Sequence, residues 1–161
     1  MSDTRIAFLD TLLAECSVYA QQLKQAHWNF TGPNFIEMHW FFGDKYNEAI
    51  GWVDLLAEQE RKLGQFPTGV LSRYLLVSGI KEEETTVPEQ LTAMILRSSQ
   101  ILCSHLDKAI KGTNDDLVTQ NLFIEIKASI DKTIWFLKSI CPCNSIDLQD
   151  KSIEWKASSE R

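Results

Sequence analysis

Helix-breaking residues are few in this chain and they cluster, which is the feature that most limits how it can fold. The chain has seven glycines and four prolines, and most of them fall at five breaks, at Gly32-Pro33, Gly64 to Gly69, Pro88, Gly112 and Pro142. Between the breaks lie four long segments in which apolar side chains recur at steps of three and four. This period predicts amphipathic helices, and no segment shows the alternation typical of strands. The sequence therefore predicts an all-α fold.

The predicted helices cover, in order, residues 6–27, 34–63, 70–77, 88–110 and 115–141, the short one lying within a long connection. Their predicted core-facing positions are Ile6, Leu9, Leu13, Cys16, Ala20 and Leu23 in the first; Phe35, Met38, Phe42, Tyr46, Ile50, Val53 and Ala57 in the second; Leu91, Ile95, Leu102 and Leu106 in the third long helix; and Leu122, Ile126, Ile130, Ile134 and Leu137 in the fourth. His105, beside the third stripe, is interpreted as structural.

The connections between the four long helices are short, long and short, which predicts a four-helix bundle with one crossover. A length of 161 residues with 44% hydrophobic residues suits a single domain. We expect one domain over residues 1–161, with a helical core at about 5–141 and a polar tail at 142–161. Cys141 and Cys143, at the start of that tail, are interpreted as ordinary thiols.

Net charge and hydropathy exclude several classes of protein. Sixteen basic against twenty-two acidic residues give a net charge of -6, which disfavours nucleic acid as a partner. No apolar run is long enough to cross a membrane, and acidic residues interrupt the apolar N-terminal stretch, unlike a secretory leader. Four cysteines in a chain with a sizeable core do not require disulfides, so we expect a cytoplasmic protein.

Two histidines flank the first break, and two carboxylates follow along the second helix. They are His27, His39, Asp54 and Glu58, and the last two lie on one helix face because they are four residues apart. Each of the four, taken alone, is more often a structural or solvated residue. Together, imidazole and carboxylate with open coordination positions are the usual surroundings of non-haem iron that reacts with an oxidant.

The spacing on the second helix excludes a shared metal within one chain. His39 and Asp54 are fifteen residues apart, which is about 22 Å along a helix, whereas a metal–ligand bond is about 2 Å. Antiparallel packing of two second helices about a two-fold axis near Asn47 would set His39 against the partner subunit's Asp54 and Glu58. The spacing therefore predicts two symmetric sites with ligands from both chains.

Several sequence runs carry a family resemblance. They are His27 to Phe35, Met38-His39, Val53 to Glu58, Leu63-Gly64 and Asp131 to Ser139. In combination they closely resemble the Dps (DNA-protection-during-starvation) miniferritins over about residues 5–140. The resemblance implies a ferritin-like four-helix bundle with one long crossover that carries a short helix.

The same resemblance implies a hollow homododecamer that oxidises ferrous iron, preferably with hydrogen peroxide, and stores the ferric mineral. The ferroxidase site would take His27 and His39 from one subunit and Asp54 and Glu58 from its partner. Dps proteins that bind DNA commonly use a lysine-rich terminal extension. The tail from residue 147 to 161 has three basic and four acidic residues, so we expect weak or no nucleic-acid binding.

Three positions depart from the family pattern. Gly43 stands where many members have another carboxylate, Gln59 stands where an arginine usually follows the glutamate, and Asn121 stands where an acidic residue often lines the three-fold pore for iron. These departures leave an alternative open, namely a structural or DNA-associated protective shell with a weakened iron site.

Overall fold

A computed structural model describes residues 3–140, and within that range the chain forms helices and no strand. The helices are α1 (Thr4–Asn29), α2 (Phe35–Lys62), α3 (Leu71–Val77), α4 (Pro88–Gly112) and α5 (Leu117–Ile140). The predicted order, including the short helix in the crossover, is confirmed. Pro142, Cys141, Cys143 and the predicted tail lie outside the described residues. Within the described range, no helix combines the length and apolarity needed to cross a bilayer.

The helices begin and end where local backbone chemistry requires it. The Asp3 side chain caps α1 by accepting a hydrogen bond from the Arg5 N–H at 3.0 Å. Gly32 and Asn34 adopt positive φ angles of 90° and 63°, which allows the chain to reverse within residues 30–34. Gly64, with φ 85°, follows α2 in the same way. Pro88 is the first residue of α4, a position whose backbone N–H makes no hydrogen bond within the helix, so the N–H that proline lacks is not needed there.

The core is one cluster of buried apolar side chains, with α1 at its centre. Helix α1 packs against α2, α3 and α4, and α5 packs against α4. Every predicted core position of α1 and α4 is buried, and so are Ile126, Ile130 and Leu137 of α5. Leu122 and Ile134 are half-buried against the same cluster. The predicted stripes of these three helices are therefore confirmed at their main positions.

The predicted core face of α2 is partly wrong. Met38 and Phe42 are buried, but Phe35 and Ile50 are 39% and 44% exposed. The predicted Tyr46, Val53 and Ala57 are half-buried against the core cluster, and the buried positions further along the helix are Ala49, Trp52 and Leu56. Apolar residues occupy two faces of α2, so a single stripe drawn through them mixes the face toward the bundle with the face toward solvent.

A buried carboxyl group holds the crossover against the bundle. Glu15 of α1 is fully buried, and its Oε1 accepts a hydrogen bond from Nδ1 of the buried His105 at 2.5 Å. The same oxygen accepts the Gly79 N–H at 3.2 Å. A Cβ atom at Gly79 would lie 2.9 Å from this oxygen and from His105 Cε1. This cluster links α1, α4 and the crossover, in agreement with a structural role for His105.

Candidate metal centre

The turn between α1 and α2 brings His27 and His39 together. His27 lies in the last turn of α1, and His39 lies near the start of α2. Because residues 30–34 reverse the chain, the two helices run antiparallel and their imidazoles meet, with ring centroids 3.8 Å apart. The turn thus brings together the two histidines that flank the first break of the sequence.

Each of these histidines is hydrogen-bonded to the backbone of the other. His27 Nδ1 lies 2.7 Å from the His39 carbonyl oxygen, and His39 Nδ1 lies 2.9 Å from the His27 carbonyl oxygen. A carbonyl oxygen can only accept, so both Nδ1 atoms donate. In the neutral imidazole the proton is then on Nδ1, and Nε2 carries the lone pair. Histidines that bind metals are commonly oriented by this type of bond.

The two rings are stacked, and this limits how they can bind a metal. Their planes are only 23° from parallel. A nitrogen lone pair lies in the plane of its ring, and planes so nearly parallel do not meet within the ~2 Å of a metal–nitrogen bond. The pair therefore offers two separate lone pairs rather than a chelate for one ion.

The structure does not bring the two carboxylates to the histidines within one subunit. Asp54 and Glu58 are exposed on α2, which runs unbroken from Phe35 to Lys62. An unbroken helix keeps Asp54 about 22 Å from His39 along its axis. Among the described residues of one subunit, no three His, Cys, Asp or Glu side chains are grouped so as to hold a metal ion. Any site that uses all four residues must draw on a second subunit.

The outer face of α2 carries exposed apolar side chains as well as these polar groups. Ile36, Trp40 and Ile50 are 59%, 66% and 44% exposed in the subunit. Measured around the helix axis, these side chains lie within about 100° of the direction in which His39, Asp54 and Glu58 project, so both sets share one side of α2. Large apolar side chains grouped on one exposed surface are typical of a protein interface.

The three departures from the family pattern have different surroundings. Gly43 lies directly against the His27 ring. Gln59 is buried and points away from the outer face, because its Nε2 donates to Thr119 Oγ1 of α5 at 3.0 Å. Thr119 in turn donates to Asp116 at 2.7 Å, and this bond lowers the pKa of the Asp116 carboxyl group. Asn121 donates to Glu125 on the exposed side of α5 at 2.8 Å.

Comparison with known proteins agrees with this architecture. The ferritin-like domain family matches residues 6–142. A DNA protection during starvation protein of Listeria monocytogenes is 31% identical over 137 residues, which cover 82% of this chain and 88% of that protein. The crystal structure of Dps from Staphylococcus aureus superposes with a TM-score of 0.81 at 32% identity, covering 84% of this chain and 93% of the other. Dps from Listeria innocua, in a structure obtained after soaking with zinc, gives a TM-score of 0.82 at 30% identity, covering 87% and 97% of the two chains.

The bundle, the crossover and the family match together define a ferritin-like protein. Within that class, the chain belongs to the Dps family, as the curated relatives and the solved structures agree. The resemblance seen in the sequence is thereby confirmed.

Two features of the site were missed by sequence reasoning. The reciprocal bonds between His27 and His39 depend on how two helices approach, which no local pattern reports. The contact between Gly43 and His27 did leave a signal, because glycine is unfavourable inside a helix and its presence there calls for a reason.

Proposed function

We propose that this protein oxidises ferrous iron with hydrogen peroxide at centres shared between two subunits, and that it stores the ferric product inside a hollow homododecamer. The observation that carries the proposal is the imidazole pair, whose Nδ1 bonds leave both Nε2 lone pairs for metal binding. Membership of the Dps family supports the dodecamer in this proposal. Each subunit contributes one ferritin-like domain.

Each centre would combine His27 and His39 with the partner subunit's Asp54 and Glu58. Antiparallel pairing of two α2 helices near Asn47 sets these groups opposite one another, since Asn47 is midway between them in sequence. The same pairing covers the exposed apolar side chains of the outer face. The position of the polar ligands and the burial of the apolar side chains therefore both favour this interface.

The roles of the four residues follow from their chemistry. The two neutral imidazoles bind ferrous iron through Nε2. The two carboxylates offset the additional positive charge of the ferric product. Two ferrous ions supply the two electrons that hydrogen peroxide needs, so peroxide and two protons yield two water molecules and no hydroxyl radical is released. The protein therefore removes two reactants of radical chemistry at once.

The remaining properties follow from charge and thiol content. A net charge of -6 disfavours binding to a phosphate backbone, so we propose protection through iron and peroxide rather than through coating of DNA. Cys16 and Cys103, the cysteines of the described residues, are free thiols, which suits the reducing cytoplasm.

Intersubunit complementation tests the proposal. One variant carries His27→Ala and His39→Ala, and the other carries Asp54→Ala and Glu58→Ala. Each is loaded with ferrous iron anaerobically, and peroxide is then added at half the iron concentration with a radical trap present. We expect both variants alone to lose rapid oxidation. Random co-assembly restores about a quarter of the wild-type centres, because each centre needs two intact halves from different chains.

Glu89→Ala serves as the control, since Glu89 is an exposed carboxylate on α4, away from the outer face of α2. Rapid oxidation that survives the loss of both histidines would overturn the proposed centre. Co-assembled shells as inactive as their parents would overturn its division between subunits. Slow oxidation with trapped radical in the wild-type protein would instead favour the protective shell with a weakened iron site.

A further inference from the structure

Gly43 lies one helical turn after His39 and touches the His27 ring. A Cβ atom built at this position would come 2.9 Å from His27 Nδ1 and 3.0 Å from Cε1. The first separation is shorter than real Cβ atoms show, and the second is tighter than nearly all of them. Any side chain at position 43 must therefore displace either the ring or the backbone of α2.

The His27 ring has little freedom to move aside. Its Nδ1 is bonded to the His39 carbonyl at 2.7 Å, and its face is stacked on the His39 ring at 3.8 Å. A shift of the ring away from position 43 would lengthen its hydrogen bond to the His39 carbonyl or disturb its stacking on the His39 ring. The close approach of the ring to α2 and its hydrogen bond are thus parts of one arrangement.

A second glycine of the same helix shows that this contact is specific. Gly51 also lies inside α2, and a Cβ atom there would meet nothing within 4 Å. Both glycines are unfavourable for helix formation. Of these two glycines of α2, only Gly43 has a contact within the subunit that excludes a side chain.

We propose that Gly43 is a positioning residue for His27: the absence of a side chain lets the imidazole lie against α2, where the His39 carbonyl holds its Nδ1 and leaves Nε2 to bind metal. This inference deepens the proposed function and rests on it for its biological meaning. It also changes the interpretation of the departure from the family pattern. Where many members have a carboxylate, the glycine lets the His27 ring of this chain lie closer to α2 than a side chain would allow, so it is not merely a lost ligand.

The first test uses the metal-free protein and observes the histidines directly. The chain has three histidines, so nitrogen-15 NMR of a histidine-labelled, sedimented sample resolves each one, with assignment by single His→Gln variants. In the wild type, we expect the signals of His27 and His39 to report a proton on Nδ1. Gly43→Ala should remove that signature from His27, while His39, whose acceptor is a backbone carbonyl of α1, keeps it. Gly69→Ala, a site outside α2 where a Cβ atom would also meet nothing within 4 Å, should leave both unchanged.

A second measurement is binding of Co²⁺ followed by its absorption spectrum. Disturbing groups that orient metal-binding histidines typically weakens binding 10- to 100-fold. We expect Gly43→Ala to lie in that range and the control Gly69→Ala to match the wild type. Binding by Gly43→Ala within twofold of the wild type, together with an unchanged His27 signal, would overturn the proposal.

A double-mutant cycle keeps the proposal testable even if Gly43→Ala folds poorly. Replacement of His27 by alanine removes the ring that the new Cβ atom would strike. Gly43→Ala should therefore lower the thermal midpoint when His27 is present and raise it in the His27→Ala background. An equal loss in both backgrounds would show that the ring is not the reason for the glycine.

Measurements on His39→Ala and Gly43→Ala distinguish the positioning role of Gly43 from the proposed ferroxidase centre. If His39→Ala leaves iron oxidation intact while Gly43→Ala still displaces His27, the proposed ferroxidase centre fails and the positioning role stands. If His39→Ala abolishes oxidation while His27 is unaffected by Gly43→Ala, the ferroxidase centre stands and the positioning role fails.

Discussion

Replacement of Glu15 by alanine should release the crossover from the bundle. Its carboxyl oxygen is the acceptor shared by His105 Nδ1 and the Gly79 N–H, and it is fully buried. Removing a buried acceptor costs about 1–3 kcal/mol for each group that loses its bond. A value of about 2 kcal/mol for the bond to Gly79 corresponds to about thirtyfold more frequent opening of the crossover. The whole subunit should lose about 3 kcal/mol, as expected when a buried pair is broken.

Hydrogen exchange followed by mass spectrometry measures this opening locally. Peptides that contain residues 78–84 should exchange about thirty times faster in Glu15→Ala, while peptides from the middle of α2, which open only on global unfolding, stay slower than the crossover in absolute rate. Glu15→Gln keeps a side-chain oxygen in place and should recover most of the protection. Glu84→Ala, which removes an exposed carboxylate from the same crossover, is the control. Exchange of the crossover within threefold of the wild type in Glu15→Ala would refute the reasoning.

Three further predictions concern stability and DNA. The lowered pKa of Asp116, caused mainly by its bond from Thr119, stabilises the fold above the ordinary carboxyl pKa and is lost as the pH falls through the lowered value. Asp116→Asn should therefore be less stable than the wild type in urea at pH 7, and the difference should shrink toward pH 3; a constant difference would contradict this. Gly112→Ala would push a Cβ atom into the Phe8 ring and should cost about 1–3 kcal/mol in the same assay, so an unchanged midpoint would show that Phe8 moves freely. In a gel-shift assay at about 0.15 M salt, the protein should not retard DNA, because its net charge is -6; a clear shift would oppose that argument.

The helices were predictable because their signals are local. Glycine and proline mark the breaks, and the stripes of α1 and α4 each bury one continuous face. The stripe of α2 was misassigned at Phe35 and Ile50 because this helix has a second apolar face. Periodicity reports that a face is apolar, but it does not report whether the face meets its own bundle or another molecule.

The candidate site was predictable only in part, for a related reason. His27 and His39 flank a turn, so a hairpin brings them together from sequence spacing alone. Their bonds to each other's backbone depend on the separation and rotation of α1 and α2, which arise from packing throughout the hairpin. Glu15 was overlooked because an acidic residue within an apolar stripe has no local partner, and its partners lie 64 and 90 positions away.

The exposed apolar face of α2 has a consequence for how the protein is made. A newly released chain presents Ile36, Trp40 and Ile50 to water until another copy covers them. If copies pair through this face, dilution destabilises the subunit and accumulation protects it, because association draws chains away from the unfolded state. Under such pairing, the rate of synthesis would set how long lone subunits expose this face before a second copy covers it.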